Sequence, residues 1–582
     1  MTIPSAHPAV RTTAHCRPLA VTPVLPRLHL FDAGRHFIDF GRAAFAALEL
    51  TLAADAPAIL TVHLGERLES PGRIHRSPGG SIRYLQTALT LRPGRHTYRI
   101  VLPERDARMM PADIGPVMPF RYVEIEDFPQ TMADADIRQF TVHYPFNDAA
   151  ASFRSADPVL NDVWELCRYS IKATSFCGIY VDGDRERIPY EADAYINQLG
   201  HYCCDAEYQL ARYTHEYLIQ RPTWPTEWIM QSVMMAWMDY LYTGERQSLQ
   251  AFYDDLKAKT LVGLRRPDHL ISTLDPPSPK AVLAAIHHDN IRDIVDWPLG
   301  ERDHYDLQPV NTVVNAFHAH ACNLMQAIAT ALGHSADAQH FAHLAYQTQQ
   351  AINAHLVDAK TSLYLDAPNS KHSSLHANMF PLAFGLVPAD RVERVADFVA
   401  SRGMACSVYG AQFLMEALYR AGRPQHALNL LTSIGERGWA HMLEVGSTIT
   451  LEAWDDRFKP NQDWNHAWGA APANVIPRLL MGLTPMEPGF ARVNIHPQLA
   501  SLPWAQLTHP TPRGPIHLRI EQTREAWNMS VELPAGVSAQ FIRPAHLDPA
   551  SLTLDGRPAT APHTLSMDAG PHQISARPGR PI

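Results

Sequence analysis

No run of eighteen or more apolar residues occurs in this 582-residue chain, so no helix of membrane-spanning length is expected. An excess of positive charge is also missing. The net charge is -9 and the pI ≈ 6.4, which leaves no electrostatic footprint for nucleic acid or an anionic membrane. Cysteine is sparse: the seven residues (Cys16, Cys167, Cys177, Cys203, Cys204, Cys322, Cys406) show no CxxC spacing. That argues against a disulfide framework and against a cysteine zinc site. The first twenty-odd residues lack the continuous apolar core of a signal peptide, which makes a cytoplasmic location the expectation. No glycine-rich nucleotide loop is found.

The composition that remains is globular, with 46% hydrophobic and 19% charged residues, in a length suited to three or four domains. Residues 1–150 read as β. Short alternating runs such as Phe37-Ile-Asp-Phe40, Ala58-Ile-Leu-Thr-Val62 and Tyr122-Val-Glu-Ile125 are separated by Pro, Gly and Asp turns, the pattern of an antiparallel β-sandwich. From Ser155-Ala-Asp-Pro158 to about residue 485 the period becomes helical. About a dozen segments are predicted (158–176, 191–218, 226–243, 246–264, 311–332, 336–356, 389–401, 408–421, 424–435, 467–481), which suits a toroid of helical hairpins. Residues 486–582 return to β as a second sandwich, with a proline- and glycine-rich tail expected to fray. The predicted fold class is multidomain α+β: an (α/α)6 toroid at 151–485 flanked by N- and C-terminal antiparallel β-sandwiches.

Two acidic stretches lie in the loops of the helical region. Asp182 to Asp193 holds five carboxylates (Asp182, Asp184, Glu186, Glu191, Asp193) with Arg185 and Arg187. Read alone, such a run is a solvated charge cluster with arginines neutralising acids. The second stretch places Glu452 between Leu451 and Trp454, where an acid either pairs with a cation or does chemistry. Six of the eleven tryptophans (Trp224, Trp228, Trp297, Trp454, Trp464, Trp468) fall in or beside the same loops. Each singly reads as a core residue. Together with two carboxylates they supply what glycoside hydrolysis requires: one protonated acid, one base or nucleophile, and flat faces for a sugar ring.

These segments resemble the α-L-rhamnosidases of glycoside hydrolase family 78 across most of the chain. The features that carry the resemblance are Phe37-Ile-Asp-Phe-Gly-Arg42, Ser155-Ala-Asp-Pro-Val-Leu-Asn161, Asp184-Arg-Glu-Arg-Ile-Pro-Tyr-Glu-Ala-Asp193, Val295-Asp-Trp-Pro298, Leu451-Glu-Ala-Trp-Asp455 and Asn465-His-Ala-Trp-Gly469. The resemblance implies a toroid flanked by sandwiches and an inverting exo-glycosidase releasing terminal α-L-rhamnose. It implies Glu186 as general acid and Glu452 as general base, with carboxyl groups about 6.5–9.5 Å apart. Asp193 is implied to hold sugar hydroxyls, and Asp182 is the nearest counterpart of a second holding aspartate. Tyr190, Trp228, Asp296, Trp297, Trp454, His466 and Trp468 would line the sugar pocket, and Arg187 would support the acid or its loop.

Two departures from the family stand out. Val181-Asp-Gly183 replaces an Asp-Cys-Pro lead-in, and Pro189-Tyr-Glu-Ala192 replaces Gly-Trp-Thr-Gly, adding the charge of Glu191 to the expected pocket wall. The alternatives are a toroid glycosidase for another, α-glucoside-like sugar, or a carbohydrate-binding protein without turnover. The expected partner is a small glycoside or oligosaccharide, with neither nucleic acid nor membrane. No metal or cofactor is expected: His372 and His376 have helical metal-site spacing, but Ser373 stands where a metalloprotease carries its glutamate.

Overall fold

The computed structural model describes residues 10–104, 109–559, 561 and 563–579. Residues 1–9, part of the stretch read above for a leader, lie outside these. Among the described residues no helix is long and apolar enough to cross a membrane.

The N-terminal β unit is an eight-stranded antiparallel sheet built on one long strand, Arg35–Ala54. Two runs that read as separate strands, Phe37–Phe40 and Ala47–Leu52, are therefore one strand that turns a corner. Its first half pairs with Leu28–Asp32 and Met118–Glu126, and its second half with Ile137–His143 and Gly94–Arg99. The register shifts between Asp39 and Ala44, around Gly41 at φ +86°, a backbone state that glycine adopts without strain. Ile38, Leu48, Val62, Val123 and Ile125 close a core of their own beneath it.

The helices form two shells. Six inner segments pack in succession: Glu191–Cys204, Thr226–Thr243, Thr312–Leu332, Leu375–Ala383, Gly410–Arg420 and Pro472–Val475, the last returning against the first. Outer helices such as Pro158–Ala173, Ser335–His355 and Val392–Ser401 lie against them, closing a toroid. Several helical expectations change in detail. Segment 246–264 splits into Gln247–Ala251, Tyr253–Lys259 and a 3-10 turn at Val262–Leu264. Segment 191–218 breaks at Asp205, where the Glu207 carboxylate accepts from the amides of Gln209 and Leu210 and starts a new helix, Gln209–Gln220. Segment 467–481 resolves into a short 3-10 turn, the helix Pro472–Val475 and a π turn over Ile476–Leu480. The inner helix Leu375–Ala383, capped by Ser374 and carrying Pro381, has no periodic signature strong enough to predict it.

The C-terminal β unit has two sheets. The larger is antiparallel and recruits Ser152–Ser155, which precedes the first helix, onto the edge of Trp504–His509. The smaller is not wholly antiparallel: Arg492–Ile495 runs parallel to Ser538–Ile542, because the chain crosses the larger sheet between the two strands. Nor does the tail fray over its described length, since Thr564–Met567 and Gly570–Ala576 are paired strands. One hydrophobic core joins this unit to the toroid.

Candidate active site

Four connections lead into the N-terminal ends of inner helices, and their side chains meet around a cavity of about 270 Å³. Residues 182–190 precede helix Glu191–Cys204 and bring Asp182, Arg185, Glu186 and Tyr190, with Asp193 from the helix's first turn. Trp224 and Trp228 come from the entrance to helix Thr226–Thr243, and Ile294 and Trp297 from the connection before Thr312–Leu332. Residues 452–468 add Glu452, Lys459, Asn461, His466 and Trp468.

The two glutamates are held differently. Glu452 is 2% exposed and accepts four hydrogen bonds or ion pairs. Its Oε1 receives Arg185 Nη2 at 2.9 Å and Lys459 Nζ at 3.2 Å, and its Oε2 receives Arg185 Nη1 at 2.9 Å and the Asp463 amide at 3.0 Å. Burial pushes its carboxyl up, but the charges of His466, Arg185 and Lys459 outweigh that and hold it below the usual glutamate range. The Glu186 side chain is 36% exposed. It accepts from the same Arg185 Nη2 at 3.2 Å and from the Tyr190 hydroxyl at 2.8 Å. Because one guanidinium nitrogen touches both acids, their nearest oxygens stand at most about 6 Å apart. The roughly 6.5–9.5 Å expected above applies to the carboxyl groups as wholes, for which this bound on the nearest oxygens leaves room, and Arg185 is their shared partner.

The floor of the pocket is polar and buried. Asp193 Oδ1 lies 2.6 Å from His466 Nε2, and burial raises its carboxyl against that pairing. Asp182 Oδ1 accepts from the Ile188 amide while its Oδ2 is buried without a partner, and burial and neighbouring acids push this carboxyl well up. Asp463 Oδ2 accepts from the Arg185 amide, and burial and Glu452 push its carboxyl up to about 6. His466 stacks on Trp468 at 4.8 Å, and Trp468 is fixed by its Nε1–H donating to the Glu452 carbonyl at 2.8 Å. Trp228 meets Tyr190 and Trp468 edge to face at 5.8 and 6.2 Å.

Two expected lining residues, Asp296 and Trp454, lie elsewhere, and Arg187, expected to support the acid or its loop, also faces away from the pocket. Asp296 is fully buried behind Trp297, accepting from His376 Nε2 at 2.7 Å and from Ser407, so it fastens that connection to two inner helices. Trp454 faces inward, donating to the Cys406 carbonyl at 2.8 Å and packing on Trp439. Arg187, 3% exposed, turns from the pocket to Asp184 at 2.5 Å and the Val117 carbonyl at 2.8 Å. Those bonds hold it at φ +55°, where a non-glycine residue is uncommon. Glu191 is likewise absent from the wall. It accepts from the amide and hydroxyl of Thr223 and sits near buried Lys259, whose ammonium burial pushes down to about 7.

Arg185, Lys459, Asn461, Asp463 and Ile294 belong to the site although the sequence assigned them no role there, and Trp224, one of the six loop tryptophans, lines it too. The N-terminal β unit also reaches it. Arg83 pairs with Asp184, Glu66 accepts from Asn465 Nδ2 at 2.9 Å, and the Ser81 hydroxyl donates to the Asn461 carbonyl at 3.0 Å. Burial pushes the Glu66 carboxyl up to about 8. Gly183 permits this crowding, since a Cβ there would stand 2.8 Å from Asp463 Oδ2. One trio among the described residues, Glu452, Asp463 and His466, has donor atoms within 4.8 Å of one another. A cation there would have to displace Arg185 and Lys459 from Glu452.

With this geometry in place, comparison with known proteins is specific. Residues 148–480 match the model of the bacterial alpha-L-rhamnosidase 6 hairpin glycosidase domain, residues 30–143 that of the concanavalin-like domain and residues 482–548 that of the C-terminal domain. An alpha-L-rhamnosidase of Alteromonas sp. (strain LOR) is 24% identical over 474 residues, 73% of this chain and 48% of that protein. The chain spans about half the length of this relative and of the Streptomyces avermitilis alpha-L-rhamnosidase, which is 20% identical over 91% of this chain. In fold it is similar to the alpha-L-rhamnosidase of Dictyoglumus thermophilum (TM-score 0.76, 16% identity, 97% of this chain and 64% of that one). It is also similar to the Streptomyces avermitilis structure complexed with L-rhamnose (TM-score 0.74, 18% identity, 96% of this chain and 54% of that one).

Proposed function

The chain belongs to the bacterial α-L-rhamnosidase family, and from that premise we propose that it hydrolyses terminal α-L-rhamnose from small glycosides with inversion at the anomeric carbon. The observation that carries this reading is the pair Glu186 and Glu452 facing one tryptophan-walled cavity over a floor of Asp182, Asp193 and His466. A cavity of about 270 Å³ is below the ~300–1,000 Å³ of drug-sized sites and suits a single sugar ring. Trp224 and Trp297, the partly exposed tryptophans of the wall, offer apolar surface for that ring, and the buried floor offers partners for its hydroxyls. Glu452, kept ionised by its cations, suits a base that takes a proton from water. Glu186, nearer solvent, suits an acid meeting the leaving oxygen.

A panel of nitrophenyl glycosides tests the reading. Release from the α-L-rhamnoside and little from the α-D-glucoside is the expected result, and release from the α-D-glucoside alone would overturn the sugar. A second reading, sugar binding without turnover, is favoured by the four donors already on Glu452. L-Rhamnose binding by calorimetry without release from any member of the panel would select it.

A further inference from the structure

The proposed chemistry needs a free lone pair on the base and a carboxyl proton on the acid, and one side chain stands against the first. A carboxylate has two oxygens and about four lone-pair sites. On Glu452 all four are taken, two of them by Arg185. No site remains to receive a proton from water. On Glu186 each oxygen faces a donor, Arg185 Nη2 on one and the Tyr190 hydroxyl on the other. One donor on each oxygen leaves a lone pair on each, so Glu186 can still carry a proton beside Arg185. The guanidinium also lies between the two acids, in the space that an anomeric carbon and its attacking water would occupy in an inverting reaction.

We propose that Arg185 is a positioning residue that exchanges partners during the reaction: its guanidinium leaves Glu452 and Glu186 as the glycoside enters, and its departure frees Glu452 to act and opens the space between the two acids. This rests on the glycosidase reading above. The surroundings allow the exchange. The Arg185 main chain is held by Asp463 Oδ2 at 3.1 Å, while its side chain is one-fifth exposed and already donates to the Asn461 carbonyl at 2.9 Å. The side chain can therefore swing about a fixed base. Once it leaves, Glu452 keeps Lys459 and the Asp463 amide, one donor on each oxygen, so each oxygen regains a lone pair for water. The remaining charged neighbours of Glu452 are then the cations Lys459 and His466 and the carboxylates Asp463, Asp193 and Glu186.

The exchange is tested by pH–rate profiles of the full chain, wild type against Arg185→Gln, on nitrophenyl α-L-rhamnoside. The profile of kcat/KM reports the free enzyme, and that of kcat reports the substrate complex. Losing a cation beside Glu452 raises its pKa, so the acid limb of kcat/KM moves up by about one pH unit. The acid limb of kcat stays where it is, because in the complex Arg185 has already left, and KM falls severalfold because nothing need be displaced. Limbs that move together would overturn the exchange by placing Arg185 on Glu452 in the complex. Unmoved limbs with a raised KM would overturn it in favour of a sugar-binding or structural arginine. Should Arg185→Gln not fold, Arg185→Lys, which keeps the charge and loses the two-pronged contact, is read by KM: a fall supports the exchange and a rise overturns it. A wild type inactive on every glycoside would overturn the glycosidase reading itself, and the exchange with it.

Discussion

Glu186 and Glu452 are one residue type in two surroundings. Glu186 rides on a connection, more than a third exposed, with two donors and an aromatic neighbour. Glu452 is sealed, with four donors and cations on two sides. Burial alone would neutralise Glu452, yet the charges around it outweigh desolvation and hold it ionised. The difference teaches that depth does not settle which carboxyl is the acid. The proposed roles rest instead on the number of cations and donors gathered on Glu452, and a sequence shows neither depth nor partners.

The comparison breaks most sharply on the acids themselves. Glu452→Gln is expected to lower kcat by about 10²–10⁴-fold or more on every α-L-rhamnoside, with an unchanged circular dichroism spectrum. Glu186→Gln should lose as much on alkyl rhamnosides and markedly less on nitrophenyl ones, whose leaving group needs no proton. Equal losses across leaving groups would remove Glu186 from the acid's place. The next effect concerns the anchor beneath the exposed member. Asp184→Asn strips the partner from buried Arg187 and from Arg83, and should cost about 3–5 kcal/mol in denaturant unfolding. A loss under 1 kcal/mol would show that the acid's loop is held by other bonds.

A smaller change is expected from Tyr190→Phe, which removes one hydrogen bond to Glu186 at a partly solvated position. It should lower kcat/KM by roughly tenfold or less, about 1 kcal/mol. The smallest effect is one of pH. Because the Glu452 carboxyl is depressed in the folded protein, it stays ionised as pH falls through the ordinary glutamate value of about 4.3. The acid limb of kcat/KM should therefore lie below that value, and a limb above pH 5 would contradict the role of base.

Much of this was legible in the sequence, and what was hidden follows a physical pattern. The β–helical–β order and most helices could be read because period 2 and period 3.6 are local properties. The bent strand Arg35–Ala54 read as two, because a corner at Gly41 looks the same as a turn. Glu186, Glu452, Trp297 and Trp468 could be named because whole motifs carry them, and all four line one cavity. Asp296 and Trp454 were misplaced because each sits beside a pocket residue in the chain yet points behind the wall. Arg185 passed for a charge neutralising its own loop, whereas its two-pronged contact is with an acid 267 positions away. Glu66 and Arg83 come from another β unit, and no spacing rule connects them to Asp184 or Asn465.

The central claim is that Glu186 and Glu452 act as acid and base on one sugar. Proton NMR of the first minutes of nitrophenyl α-L-rhamnoside hydrolysis tests it most directly. The account predicts β-L-rhamnose as the first-formed anomer, followed by slow mutarotation. First-formed α-L-rhamnose would mean retention, with one of the two carboxylates as nucleophile, and would contradict it.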